Sequence, residues 1–432
     1  MIVYAASITP RLQYMIRFAG QLLFEKIPEL TTDKEKFIAW SGARINYSPT
    51  RIAGEEYQVV PHGLLDQQGI TSQDLACFMV NDTKAFFKTA GDHPFDVFAA
   101  AFYLLSRYEE YGQHEKDIYG RYAHTNSLAF REGFLHEPLI NQWCQQLAAQ
   151  LKEKFPSLKL KKNTFSFVPS YDIDIAWSYR HKGWWRSTGG LIKSFFKGHW
   201  KDVAARVAVW RGRQKDPFDT YGLLNGWHEQ YGLRPYYFFP AAEKRGKYDK
   251  NISPSKKALQ ALIQDHAIRY PIGLHPSWRS GDEPALLKKE KETLAAVSGT
   301  TITASRQHYI RFTLPSTYRH LLQEGIRFDF SMGYGSINGF RASACTPFYW
   351  YDLEKEEETE LMLFPFCYMD ANSFYEQRYT PAQALAEMLD YHKKVKEVNG
   401  LLITIWHNHF LGTDPLYTGW KEVYGEFLVL GS

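Results

Sequence analysis

Phe165-Ser166-Phe167-Val168-Pro169-Ser170-Tyr171-Asp172-Ile173-Asp174 is the stretch on which the fold of this 432-residue chain turns. An apolar run of strand length stops at two acids spaced i, i+2. In an extended chain alternate side chains share a side, so both carboxylates face the same way. Two like charges this close are unfavourable unless a cation or a proton lies between them. The pair reads as a metal or acid–base site, with a surface acid pair closing a strand as the plain alternative.

Downstream, strand-like and helix-like segments alternate. Strands are predicted at 234–240, 269–274, 301–304, 327–330 and 401–405, and helices at 221–231, 255–267, 284–297, 314–324 and 381–398. This alternation predicts an α/β fold with a parallel sheet, open or closed as a barrel. Each predicted strand is followed by polar residues. Beyond Pro240 come Arg245, Lys247, Tyr248, Asp249 and Asn251. Later strands lead into His275-Pro276-Ser277-Trp278-Arg279, Ser305-Arg306-Gln307-His308-Tyr309, Asp329 and Ser331, and His407-Asn408-His409. Parallel α/β folds carry their sites at the carboxyl ends of strands. One histidine there is commonly just a satisfied polar residue, but the set together points to a site. An Asp with two His is a common ligand set for a catalytic divalent metal, and Asp174, His275 and His308 supply it. Asp172 is left as general base, and His407 or His409 as general acid.

Four motifs, Tyr171-Asp172-Ile173-Asp174, Gly273-Leu274-His275-Pro276-Ser277, Gly339-Phe340-Arg341 and Ile405-Trp406-His407, resemble the ordered motifs of the polysaccharide deacetylases of the carbohydrate esterase 4 superfamily. The resemblance covers about residues 164–430. It implies an irregular (β/α) barrel and a hydrolase that removes N- or O-acetyl groups from glycans with a divalent metal, Zn first, with Ni, Co or Mn as alternatives. It assigns Asp172 as base, Asp174 and His275 as metal ligands, Arg341 as the arginine positioning the base, and His407 as acid. The family's usual second metal histidine lies four residues after the first. Here that position is Arg279, which makes His308 the replacement ligand and Asp249 the weaker alternative. Tyr171, Trp278, Arg306, Asp249 and His409 are assigned to substrate contacts. The implied partner is an acetylated carbohydrate or another small amide. A catalytically degraded barrel acting as a carbohydrate-binding or scaffold protein is the competing reading, favoured by Arg279 and by the many aromatics, with Trp184, Trp185, Trp278 and Trp406 as stacking candidates.

Upstream, residues 1–155 read as a smaller α/β domain. It resembles the uncharacterised N-terminal domain that accompanies a bacterial subgroup of these proteins. A strand at 2–5 leads into a helix with Thr9 as N-cap and Pro10 at its first position. Short strands are predicted at 37–40, 56–60 and 78–80, and helices at 96–108 and 138–154. Arg107, Glu109 and Glu110 read as a salt-bridged helix end. Residues 152–163, with five lysines, read as the boundary, and 164–432 as the catalytic unit. The acidic run 354–360 reads as a solvated loop.

The bulk numbers fit a globular protein of two or three domains. Aromatic residues make up 16% of the chain, including 12 Trp and 28 Tyr, more half-wet rings than a core requires. Lys and Arg number 51 against 47 Asp and Glu, a balance that predicts no nucleic-acid partner. The basic aromatic stretch 181–213 reads as an exposed amphipathic insertion. The four cysteines lack paired spacing and read as free thiols of a reducing compartment. With neither a signal peptide nor a membrane span evident, the cytoplasm is the expected location.

Overall fold

The computed structural model describes residues 1–181, 200–244 and 246–431. Trp184, Trp185, Arg245 and the centre of the basic aromatic insertion lie outside the described residues. The chain opens with a parallel four-stranded sheet ordered β2-β1-β3-β4, from β1 (Ile2–Ala5), β2 (Glu29–Thr31), β3 (Arg44–Tyr47) and β4 (Tyr57–Gln58). The helix Pro10–Leu23 starts where its signals place it: the Thr9 side chain accepts from Leu12 N, and Leu12, Met15, Ile16, Ala19 and Leu23 form its buried stripe. The strand expected at 37–40 is instead a helix, Lys34–Ala39. The Asp33 side chain caps Lys36 N, and Phe37 alone is buried. A local cap outweighs the β preference of so short an apolar run. A hairpin follows, β5 (Phe78–Val80) with β6 (Thr83–Ala85). The helices Val97–Leu105, every residue buried, and Leu139–Lys154 complete this region.

The second sheet has nine strands: β7 (Ser166–Asp172), β8 (Tyr236–Phe239), β9 (Ile272–Leu274), β10 (Ala304–Ser305), β11 (Phe328–Asp329), β12 (Phe348–Asp352), β13 (Glu357–Leu363), β14 (Tyr368–Met369) and β15 (Leu401–His407). Their order is β12-β13-β11-β10-β9-β8-β7-β15-β14, and only the β12–β13 pair is antiparallel. The acidic run read as a solvated loop is therefore mostly the start of β13. Its carboxylates are paired from neighbouring elements: Glu356 with Arg11, Glu358 with Arg17 and Glu354 with Arg319.

Strand pairing does not close this sheet into the expected barrel, since β12 and β14 remain its edges. The sheet is nevertheless forced to curl. β13 and β14 stand seven places apart in the order, roughly 34 Å in a flat sheet. Residues 364–367 join them and reach no more than about 17 Å. That segment crosses the gap with bonds to both sides, Phe364 N to Asp329 O (2.8 Å), Phe366 N to Met332 O (3.1 Å) and Cys367 N to Ile403 O (3.4 Å). Register aligns the carboxyl ends of the central strands. His407 pairs with Asp172, Asp172 with Phe238, Phe239 with Leu274, and Leu274 with Ser305. Loops that follow in sequence therefore emerge side by side.

The two regions share one hydrophobic cluster and a buried set of charges. Arg107 reaches Glu109 (2.8 Å) and Glu110 (2.7 Å), and Arg341 reaches Glu110 (2.5 Å). Arg341 is thus committed to the first region rather than to Asp172. Its Nε and Nη2 donate to Glu110 and its Nη1 to Gly333 O. Burial would raise the Glu110 carboxyl, but Arg341 and Arg107 outweigh it and hold it down to about 2. With the folded value below the ordinary 4.5, this stabilisation is present above about 4.5 and fades as pH falls towards 2. Arg341→Ala leaves a buried carboxylate with one guanidinium, and is expected to destabilise the chain by about 3–5 kcal/mol, read as a lower urea midpoint. An unchanged midpoint would show that this cluster does not hold the regions together.

Candidate metal centre

The acid pair sits at the end of β7, the strand with neighbours β8 and β15. Ile173 and the turn after it are pinned by Asn251, whose Nδ2 donates to Ile173 O (2.9 Å) and whose Oδ1 accepts from Ala176 N (3.1 Å). Asp172 and Asp174 consequently face the same imidazole: His275 Nε2 lies 3.9 Å from Asp172 Oδ2 and 3.1 Å from Asp174 Oδ1. His308, in the loop after β10, brings its Nε2 to 3.4 Å from Asp174 Oδ2. One ligand atom from each of Asp174, His275 and His308 lies within 4.8 Å of the others.

Hydrogen bonding fixes which nitrogens face the carboxylate. His275 Nδ1 is 2.6 Å from Arg306 O, a group that only accepts, so Nδ1 carries the proton and Nε2 the lone pair. His308 Nδ1 is likewise held by Asp249 Oδ1 (3.1 Å). Both rings therefore turn Nε2 towards Asp174. Among the described residues, the buried Asp174 Oδ1 has His275 Nε2 as its neighbour and no well-aligned hydrogen-bond donor. Two imidazole lone pairs and a carboxylate pointing at one place repel each other unless a cation joins them, so the donor set fits a divalent metal. Without one, a proton does that work. Burial would depress the His308 imidazole, but Asp174 and Asp249 raise it to about 10.

Two further pairs flank the triad. Asp172 Oδ1 accepts from Arg306 Nη1 (2.8 Å), and Arg306 also donates to Ser170 Oγ (2.7 Å) and Phe330 O (3.1 Å). His407 Nδ1 is 2.6 Å from Asp370 Oδ1, while its Nε2 lies 3.6 Å from Asp174 Oδ2. Burial would lower His407, but Asp370 and then Asp174 and Asp172 raise it to about 9. Its neighbour His409 goes the other way. Burial first, and the charge of His407 second, push it down to about 3. The proton therefore rests on His407. Asp172, Asp174, His275, His308, His407 and His409 all line one pocket of about 400 Å³.

Several expected roles are displaced. Arg306, expected to touch substrate, is fully buried and occupies the place expected for Arg341, beside Asp172. Tyr171 is not a substrate contact either. Pleating turns it to the far face of β7 from Asp172, where its hydroxyl meets Tyr424 (2.6 Å) and His228 (3.0 Å) in the core. Asp249 spends its Oδ1 on His308 and on Trp278 N (3.0 Å), so it orients the His308 ring and the start of the turn at Trp278. Trp278 is half-buried and stacks on Tyr248 at 4.1 Å. Arg279 points outward to Glu283 (2.8 Å). A 3-10 turn capped by Ser277, itself tied to Glu290, carries this position away from His275. Trp406 is buried core. Among the described residues no helix is long and apolar enough to cross a membrane.

Asp370 was missed. It follows β14 as the other polar residues follow their strands, but a two-residue strand gives too weak a pattern to read. Tyr119 and Arg121, from the first region, also line the pocket, and no local signal ties them to it.

Residues 1–156 match a family model described as a family of unknown function, DUF7033. No curated protein matches the chain. Among solved structures, the chain is similar to a Mycobacterium smegmatis protein assigned as a polysaccharide deacetylase, with 13% identity, 62% of this chain and 86% of that chain covered, and a TM-score of 0.40. It is also similar to a polysaccharide deacetylase from Bacillus cereus, with 9% identity, 62% and 88% covered, and a TM-score of 0.30.

His275→Ala and His308→Ala are each expected to lower bound metal at least 10-fold in purified protein, measured by elemental analysis. Arg279→Ala is expected to leave it unchanged. Full occupancy in both histidine variants would remove the triad as the ligand set.

Proposed function

We propose that this chain is a metal-dependent hydrolase of polysaccharide-deacetylase type that removes acetyl groups from an N- or O-acetylated glycan. The observation that carries the reading is the convergence of Asp174, His275 and His308, each imidazole anchored through Nδ1, between an Asp172–Arg306 pair and a His407–Asp370 pair. The motif resemblance read from the sequence supports the same class. In this reading residues 164–432, with their curled open sheet, carry the chemistry, and 1–155 are a domain packed against them. The two imidazoles and one carboxylate suit Zn, and Ni, Co or Mn satisfy the same donors.

When bound, a divalent ion supplies Lewis acidity at the acyl oxygen and to the attacking water. Asp172 is held on one side by Arg306, which leaves Oδ2 to take the proton from that water as its oxygen adds to the acyl carbon. His407 holds its proton on Nε2, because Nδ1 is committed to Asp370, and delivers it to the departing amine nitrogen or alkoxide oxygen. The acyl C–N or C–O bond breaks and acetate leaves. His409 stays neutral and lines the wall beside the acid.

Asp172→Asn is expected to lower deacetylation of N-acetylglucosamine oligomers by about 10²–10⁴-fold with metal content preserved. Undiminished turnover would take Asp172 out of the role of base. His407 acts protonated, so a value raised to about 9 keeps it competent through neutral pH, and the rate falls as pH passes that value. Asp370→Asn removes the main raising influence. The basic limb of the pH–rate profile is expected to move down by about one pH unit or more. A limb that stays in place would assign the proton to another group.

A further inference from the structure

The first region reaches into the pocket through one tight turn. Asp117 N donates to Arg121 O (2.9 Å), Gly120 N donates to Asp117 O (2.9 Å), and Lys116 bridges Tyr122 just outside. This turn presents Tyr119. Behind it, the Arg121 guanidinium is clamped in three directions: Nε to Asp117 Oδ2 (2.5 Å), and Nη1 to Tyr309 O (3.1 Å) and Gly335 O (2.7 Å). Gly335 has no room for a side chain, because a β-carbon there would run into Arg121.

What Arg121 holds is strained. Tyr309 and Ile310, directly after the candidate ligand His308, both adopt left-handed backbone, with φ of 60° and 55°. Residues with a β-carbon avoid that region, and two in succession persist only when surrounding contacts over-determine them. The strained turn aims the Tyr309 ring at the pocket, 4.7 Å from His308 and 5.4 Å from Tyr119. Tyr248 lies 5.3 Å from Tyr309 and 6.3 Å from Tyr119, stacked on Trp278, which Arg311 backs at 4.6 Å. The three tyrosines are half-buried and line the same pocket as Asp172 and Asp174. Their rings are held by one another and need little reordering to receive a ligand.

We propose that Tyr119, Tyr248 and Tyr309 form a subsite for a pyranose ring next to the one bearing the acetyl group, and that Tyr119 makes the first region part of the substrate site. The C–H face of a sugar packs on such a wall, and a small acetyl compound covers less of it than a neighbouring pyranose does. The inference rests on the glycan-deacetylase reading for its substrate class. Arg121 is a positioning residue, acting through Tyr309.

The test uses the full metal-loaded chain as wild type, Tyr119→Ala and Tyr119→Trp. It compares an N-acetylglucosamine tetramer with p-nitrophenyl acetate, and measures tetramer binding at equilibrium by calorimetry. Tyr119→Ala is expected to raise KM and Kd for the tetramer about 3–10-fold, with metal content unchanged and a smaller effect on p-nitrophenyl acetate. Tyr119→Trp is expected to restore tetramer affinity. Equal tetramer affinity in wild type and Tyr119→Ala overturns the inference, as does an equal loss on both substrates. Wild-type protein that does not bind the tetramer also overturns it. Tyr119-dependent tetramer binding without turnover of either substrate keeps the subsite and removes the hydrolase reading, so the two fail separately.

Discussion

Two carboxylates one residue apart, at the end of a strand buried in a curled sheet, repel each other and are poorly hydrated. Much of the local structure answers that constraint. Asp172 is compensated by Arg306, a permanent cation that is fully buried and stacked 4.2 Å from the Phe238 ring centre. Among the described residues Asp174 pairs with no guanidinium. It has the imidazoles of His275, His308 and His407, whose charge is conditional. A fixed countercharge on one and a conditional one on the other is what distinguishes Asp172 from Asp174 in otherwise similar surroundings.

The outer contacts of the site are as specific as the inner ones. A backbone carbonyl anchors His275, and carboxylates anchor His308 and His407. The partner's chemistry decides each ring's behaviour. The carbonyl fixes a tautomer without adding charge. Asp370, hydrogen-bonded by His407 and by Ala371 N, draws a proton onto His407, and burial together with that charge keeps His409 neutral. Adjacent histidines thereby acquire opposite proton states.

The first region is bound to this arrangement by more than apolar packing. Arg341 and Arg107 share Glu110 across the boundary, Arg11 reaches Glu356 at the β12–β13 turn, and Arg121 holds the backbone on either side of the pocket rim. Buried guanidiniums with both partners in place demand fixed geometry, since a displaced partner leaves an uncompensated charge. A boundary built this way holds Tyr119 in register with residues almost two hundred positions away.

Local sequence signals were enough for most of the longer elements and for most of the candidate residues. Thr9-Pro10 set a helix start, apolar periodicity set the helices around 221–231 and 381–398, and the strand-ending residues Asp172, Asp174, His275, His308 and His407 stood out by type and position. These signals come from covalent neighbours, and so survive without knowledge of the rest of the chain. The helix at Lys34–Ala39, and the short strands β2 and β14, carried too little pattern to read. Which arginine meets Asp172, which acid holds His407 and whether the first region enters the pocket were decided only by tertiary structure. Arg306 and Arg341 each follow a strand in the sequence. The curl imposed by residues 364–367 sends one inward to Asp172 and the other to Glu110. Long side chains find their partners through the folded path of the sheet, and no spacing along the chain encodes that path.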